Sequence, residues 1–284
     1  MRSRSILGWT AAAAVTLALS AAVGCGSTSG TPGETVDAAP EADPPLEADV
    51  PDAADARVDA ADARPDVLLP AAGYCLGLAK KPRFCDDFDD LDLTNDWDQA
   101  TVLPQSVMDL DDSTFASAPV SYVVATKAIL ASGAAGNVSL RKTVLGSVSH
   151  ATLAFSARFS TTTVTKGLLA VATLDVSSNH FFTLYLRDGD ADAPAAILEE
   201  LTASTMTRHL LTRLPVAGSW TRIVIDVDLA AGKANVTFGG QPALVDAPIN
   251  ATVGTEATIR LGAVYLYPPS DPFQANFDDV VLDF

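Results

Sequence analysis

Histidine, cysteine, tryptophan and methionine each occur only three times in the 284 residues, and this scarcity excludes several kinds of chemistry. His150, His180 and His209 are scattered, so the chain encodes no histidine-rich metal centre and no H-E-x-x-H helix. A G-x-S-x-G nucleophile elbow and a phosphate-binding glycine loop are missing as well. Cations are few: 18 Lys and Arg stand against 35 Asp and Glu, a net charge of −17, which argues against nucleic acid as a partner. Beyond the N-terminal stretch no apolar run is long enough to span a membrane. Helical periodicity of useful length is absent too. Aromatic residues make up 7% of the chain, lean for a module dedicated to carbohydrate.

What is present begins with "MRSRSILGWTAAAAVTLALSAAVGCGSTSG". Arg2 and Arg4, an apolar run from Ile6 and small residues before Cys25 have the layout of a secretory signal. Ala22-Val23-Gly24-Cys25 resembles the lipobox of bacterial lipoproteins, with Ala22 in place of the usual leucine. The resemblance implies that residues 1–24 are removed and that Cys25 carries the acyl chains, making a membrane the first partner. Several chains are needed for stable anchoring, because each buried methylene adds only ~0.8 kcal/mol. Gly26 follows, not the aspartate linked to inner-membrane retention, so the resemblance implies an outer-membrane address. An ordinary secretory signal and an uncleaved anchor helix are the competing readings.

Residues 25–70 read as a tether. Ala, Asp, Pro and Glu dominate from Ser27, no aromatic residue occurs, and "DAADAR" stands at both 52–57 and 59–64. Eleven acidic and two basic residues leave a net of −9, so the segment repels itself and stays extended. Residues 71–284 are long enough for one substantial core. Cys75 and Cys85, ten apart in an exported chain, read as a disulfide, whose short loop adds on the order of 2–3 kcal/mol. A metal site at these cysteines is the weaker reading, since no histidine is near.

Within 71–284, short alternations predict half-buried antiparallel strands. "ATLAFSARFS" sets Leu153, Phe155, Ala157 and Phe159 on one face. "WTRIVIDVD" groups Ile223, Ile225 and Val227, and "KANVTF" groups Ala234, Val236 and Phe238. "LAAGK" and "FGGQP" are hairpin turns. The fold class is all-β, a two-sheet antiparallel sandwich. Strands are not assignable over 99–150.

The order of three segments carries a resemblance to the concanavalin A-like lectin/glucanase superfamily. "FCDDFDDLDLTNDW" resembles its opening strand, with Phe88 and Trp97 spaced as in that family. "GSWTRIVIDVDLAAGKANVTFGGQPA" is similar to its laminin-G-like hairpin, and "FQANFDDVVLDF" to its closing strand. The resemblance implies a jelly roll whose first and last strands are neighbours and whose one sheet often holds a glycan.

Enzymes of that group carry carboxylate pairs, and these are missing here. The domain's glutamates are Glu199, Glu200 and Glu256, and "LEELTAS" lacks the aspartate and final glutamate of E-x-D-x-x-E. The catalytic set is therefore empty, with a Tyr185/His180 lyase pair as the remaining enzymatic route. Asp188, Asp190, Asp192 and Glu199 have EF-type spacing, but Ala193 replaces the turn glycine, and a solvated hairpin loop explains the segment. The resemblance implies one structural calcium, held by Asp87 of the opening acidic pair and Asp278 of the closing strand. Tyr185, Trp220, Tyr265 and Tyr267 are the candidates for stacking on sugar rings, although Trp97 and Trp220 are more often core residues in this architecture. The expected function is non-catalytic recognition of a glycan or other surface macromolecule by a lipid-anchored envelope protein. A divergent polysaccharide hydrolase or lyase, and a purely structural component, are the alternatives.

Overall fold

The computed structural model describes residues 73–104, 106–128, 136–161, 168–187, 195–266 and 271–284. The signal, the tether, Cys25, Tyr267 and the aspartates of the EF-type loop lie outside the described residues. Among the described residues, no helix is long and apolar enough to cross a membrane.

Two antiparallel sheets form a jelly-roll sandwich. One holds β1 (Phe84–Asp86), β3 (Ser106–Asp111), β4 (Ser121–Thr126), β6 (His150–Phe159), β11 (Thr221–Asp228), β12 (Lys233–Phe238), β13 (Gln241–Pro248) and β15 (Phe273–Asp283). The other holds β2 (Gln99–Val102), β5 (Gly136–Val148), β7 (Leu168–Ser177), β8 (His180–Arg187), β9 (Ala195–Thr202), β10 (Met206–Leu210) and β14 (Gly254–Leu266). The orders are β13-β12-β11-β6-β15-β4-β3 and β10-β9-β8-β7-β14-β5-β2, with β1 added beside β15. Along one side β15 meets β6, and along the other it meets β4 and then β1. The first and last strands are therefore neighbours, as the resemblance implied.

The alternating pattern explains these elements. In β11, Thr221, Ile223, Ile225 and Val227 are buried while Arg222, Val224, Asp226 and Asp228 are half-buried on the opposite face. Gly239 and Gly240 take φ of +59° and +74° between Phe238 and its partner Gln241, a two-residue turn that other residues enter only with strain. Between the sheets, Phe277 sits among Tyr122, Phe155 and Phe159 with ring centroids 5.8, 6.1 and 6.2 Å away. At the first strand, Phe84 meets Trp97 edge-on at 5.1 Å, and Phe88 packs on Tyr122 at 5.6 Å. Trp97 and Phe88 are thus core residues. The Cys75–Cys85 disulfide is formed, tying the turn Tyr74–Gly77 to β1.

Two expectations change. The unassigned region 99–150 contains β2 to β5, and its half-buried edge strands explain why no clean alternation marks it. Counting alternate residues places Asp278 on the face of Val280 and Leu282, but the chain bulges at Asp279, whose φ is +52°. Phe277 points inward before the bulge and Val280 and Leu282 after it, so Asp278 stands opposite Ser156 on the outer face.

Candidate functional site

The outer face of the seven-stranded sheet gathers the groups able to hold a ligand. Leu174 on β7, Phe182 and Leu184 on β8, and Ile259 and Leu261 on β14 fill the core, so their neighbours in sequence face outward. The register then aligns one outward residue from every strand: Gln99, Arg141, Arg260, Thr173, Thr183, Glu199 and Arg208. At ~4.8 Å between strands, this row runs about 29 Å across the sheet.

Bulges shape the neighbouring row. The β14–β7 register breaks between Leu261 and Tyr265, and that of β7–β8 between Ala170 and Ala172. Gly262 makes the first possible, since at φ +134° an added Cβ would collide with the Val138 carbonyl. As a result Tyr265 and Tyr185 flank the small Ala170 from both sides. Beside them lies a cavity of about 320 Å³, whose lining includes Asn137, Thr173, Thr183, Tyr185, Arg260 and Tyr265. Tyr265 is 46% exposed, so its ring is available to solvent.

Ion pairs hold the row in place. Arg260 Nη1 lies 3.1 Å from Asp175 Oδ2, and Arg208 Nε lies 2.7 Å from Glu199 Oε2. Tyr185 Oη donates to Glu199 Oε1 at 3.4 Å. Burial, reinforced by the charge of Glu199, pushes the Tyr185 hydroxyl up to about 12. It stays protonated at neutral pH and is unsuited to act as a base. Burial also raises Asp175, against the opposing charges of Arg260 and Arg141. Asp175 Oδ1 and Arg141 Nε are buried without a hydrogen-bond partner. Both atoms are shielded from solvent, so the polar groups of this face that a ligand can touch are the exposed ones, such as Arg208 and Tyr265.

Tyr185 and Tyr265 are the two expected aromatics that the fold brings together. Trp220 is half-buried just before β11, in the other sheet, and takes no part in this face. The alternative Tyr185/His180 pairing of a lyase does not form. The two residues lie five apart on β8 and so face opposite sides. His180 is buried, its Nε2 is 2.7 Å from Glu200 Oε1, and that oxygen also accepts the Asn250 backbone N–H at 2.7 Å. The guanidiniums, Asp175 and the threonines of the row escaped notice in the sequence. "ATIRLGAVYLY" did contain one usable signal, Arg260 alternating with Ile259 and Leu261.

The conspicuous aspartates lie at the pole where β1 joins β15. Asp278 Oδ2 accepts the backbone N–H of Ala116 and Ser117, both at 2.9 Å, and Oδ1 accepts that of Asp279 at 2.8 Å. Asp87 Oδ2 accepts the Cys75 N–H at 2.9 Å. Asp86 takes the Phe88 N–H at 2.8 Å and the Trp97 indole N–H. Burial raises Asp278 to about 7, with a further push from the charge of Asp279. Burial likewise raises Asp86 and Asp89 to about 6. Asp89 feels the charges of both Asp87 and Asp279, so these two residues, more than Asp278, link the opening and closing strands electrostatically. Among the described residues, no group of three or more His, Cys, Asp or Glu side chains converges to hold a metal ion.

No protein-family model matches the chain, and no curated protein matches it in sequence. Solved structures do resemble it. Endo-β-1,4-glucuronan lyase from the fungus Trichoderma reesei superposes with a TM-score of 0.53 at 11% identity, over 71% of this chain and 95% of that one. Cellulose induced protein, Cip1, gives 0.51 at 12% identity, over 70% of this chain and 96% of that one. At such identity the likeness establishes the jelly-roll fold alone.

Proposed function

We propose that this chain is an envelope lipoprotein that recognises an acidic glycan on the outer face of its seven-stranded sheet. In this reading Cys25 is acylated, residues 25–70 tether the domain to the outer membrane, and residues 71–284 do the binding. The observation that carries the glycan is the row from Gln99 to Arg208, beside a cavity lined by Tyr185, Tyr265, Asn137 and Arg260. Aromatic rings suit sugar faces, an amide and two threonines suit hydroxyls, and guanidiniums suit carboxylates. Three guanidiniums, Arg141, Arg260 and Arg208, against the carboxylates of Asp175 and Glu199 leave an excess of positive charge that favours an acidic glycan over a neutral one. The fold relative from Trichoderma reesei acts on glucuronan, which agrees with that preference.

Recognition without cleavage is preferred, because Tyr185 keeps its proton and His180 is committed to Glu200 behind the sheet. The test is a retention panel of uronate-bearing and neutral polysaccharides, scored also for new reducing or unsaturated ends. Retention of uronate polymers without new ends is expected. No retention on any polymer would overturn the binding reading, and new ends would replace it with a lyase or hydrolase.

The proposal includes one structural calcium at the aspartate pole, with Asp87 and Asp278 as ligands. In its support, three carboxylates there are raised and Asp89 Oδ1 is buried without a partner, strain that a cation would relieve. Against it, Asp278 already accepts three N–H groups. Thermal unfolding with and without chelator decides, and an unchanged midpoint removes the ion.

A further inference from the structure

Lys80, Lys81 and Arg83 set three cations within four positions of an otherwise acidic protein. Lys81 and Arg83 line a second cavity of about 460 Å³, together with Leu76, Leu78 and Pro82, and Lys80 adjoins them in sequence. Leu76 is 80% exposed and lies beside half-buried Leu78, so an apolar tip adjoins these cations. The local build explains how it stays there. The Cys75–Cys85 disulfide pins the turn, and the Cys75 N–H is held by Asp87, so Leu76 cannot fold back into the sandwich.

The cations are held in place too. Lys80 Nζ reaches Asp283 at 2.6 Å while remaining 81% exposed, and the Arg83 guanidinium lies 5.2 Å over the Phe284 ring. Lys81 is exposed. Asp96 is the one acid in the cavity lining. An apolar tip beside a basic trio, two of whose members are held by the C-terminal residues, is the composition that inserts at a charged lipid interface, where leucine enters the acyl boundary and cations meet phosphates.

The chain outside the described residues indicates which lipid surface this is. The first described residue, Gly73, adjoins this pole, and 48 positions separate it from Cys25. Forty-eight positions span roughly 35–40 Å as a random coil and more when like charges repel, enough for this pole to reach the bilayer that an acylated Cys25 would occupy.

We propose that Leu76, Leu78, Lys80, Lys81 and Arg83 form a docking surface for anionic lipid headgroups. Resting on the lipid-anchor reading, docking lays this pole against the carrier membrane and fixes which way the glycan face points. The free tether is acidic and could compete for the same cations, which makes it an outcome of the test.

The experiment uses the chain from residue 25 onward with Cys25→Ser, which has no acyl group, mixed with vesicles of phosphatidylglycerol and phosphatidylethanolamine or of phosphatidylcholine alone. Sedimentation should show partitioning to the anionic vesicles only, fading as salt rises. Lys81→Glu should weaken it roughly tenfold, because one cation is lost and one repulsion gained. Leu76→Ser should weaken it several-fold, and neither substitution should move the thermal midpoint, since both side chains are exposed. Equal binding to neutral vesicles, or no effect of Lys81→Glu, overturns the proposal. No partitioning at low salt also overturns it and indicates that the tether occupies the cations. Mass analysis of the Cys25 peptide from the native protein tests the anchor separately, so the two readings can fail independently.

Discussion

The outer faces of the two sheets are opposites. On the eight-stranded sheet, residues 116–117 cover Asp278, whose oxygens are filled by backbone N–H groups, and Arg222 joins Tyr74 to the Asp279 carbonyl. On the seven-stranded sheet, nothing among the described residues caps the row from Gln99 to Arg208, and polar atoms of Arg141 and Asp175 are left unpaired. The first face ties Asp278 and Arg222 to backbone in closing the fold, and the second pairs its groups side chain to side chain while leaving Arg208 and Tyr265 exposed. Charge density in the sequence is therefore a poor guide to function here: seven aspartates crowd residues 83–98, yet the groups free to bind lie on other strands.

Substitutions on the two faces should therefore separate. The largest effect is expected from Asp278→Ala, which orphans the N–H groups of Ala116 and Ser117 and should cost about 3 kcal/mol in chemical denaturation. Asp278→Asn should recover part of that loss. Polysaccharide retention by the folded fraction should be unchanged, and a loss of retention would break the division between the faces.

Next in size is the pH response of the closed face. Asp278 at about 7 and Asp86 and Asp89 at about 6 lie above their ordinary 3.8, so the folded state holds protons that the unfolded chain has released. Their contribution to stability is complete below that ordinary value and is lost as pH rises through about 6 to about 7. The denaturation midpoint should fall across that window in chelator, and Asp278→Asn should flatten its upper part. A midpoint that climbs across the window would contradict the burial described here.

The open face should respond mainly in binding, with a loss of stability only where Arg260→Ala leaves the buried Asp175 without its ion pair. Arg260→Ala removes a guanidinium from the middle of the row, and retention of uronate polymers should drop roughly tenfold, with a smaller drop for neutral ones. Tyr265→Ala should cost about fivefold on both classes without shifting the melting midpoint, as expected for an exposed stacking ring. Trp220→Phe should have the smallest effect, leaving retention intact, because Trp220 belongs to the other sheet. Loss of retention there would move the ligand to that sheet.

Much of the architecture was legible because burial repeats every two residues. β11 and β12 have clean alternation, and Trp97 and Phe88 occupy the core. The binding row was not legible, because it is a property of register. Arg141 and Arg260 are 119 positions apart, and only the β5–β14 pairing sets them side by side. Alternation also fails at bulges, and the extra residue at Asp279 reversed the face assigned to Asp278. Tyr185 and His180 show the reverse case, in which alternation alone, applied to β8, separates two residues that chemistry would pair.

The row of outward residues has an evolutionary consequence. Each of its seven members is supplied by a different strand, and each strand's core-facing residues are independent of it. If the row binds as proposed, a change at Gln99 or Thr183 alters one contact and leaves the core-facing residues alone, whereas Arg208 and Glu199 must change together because their ion pair couples them.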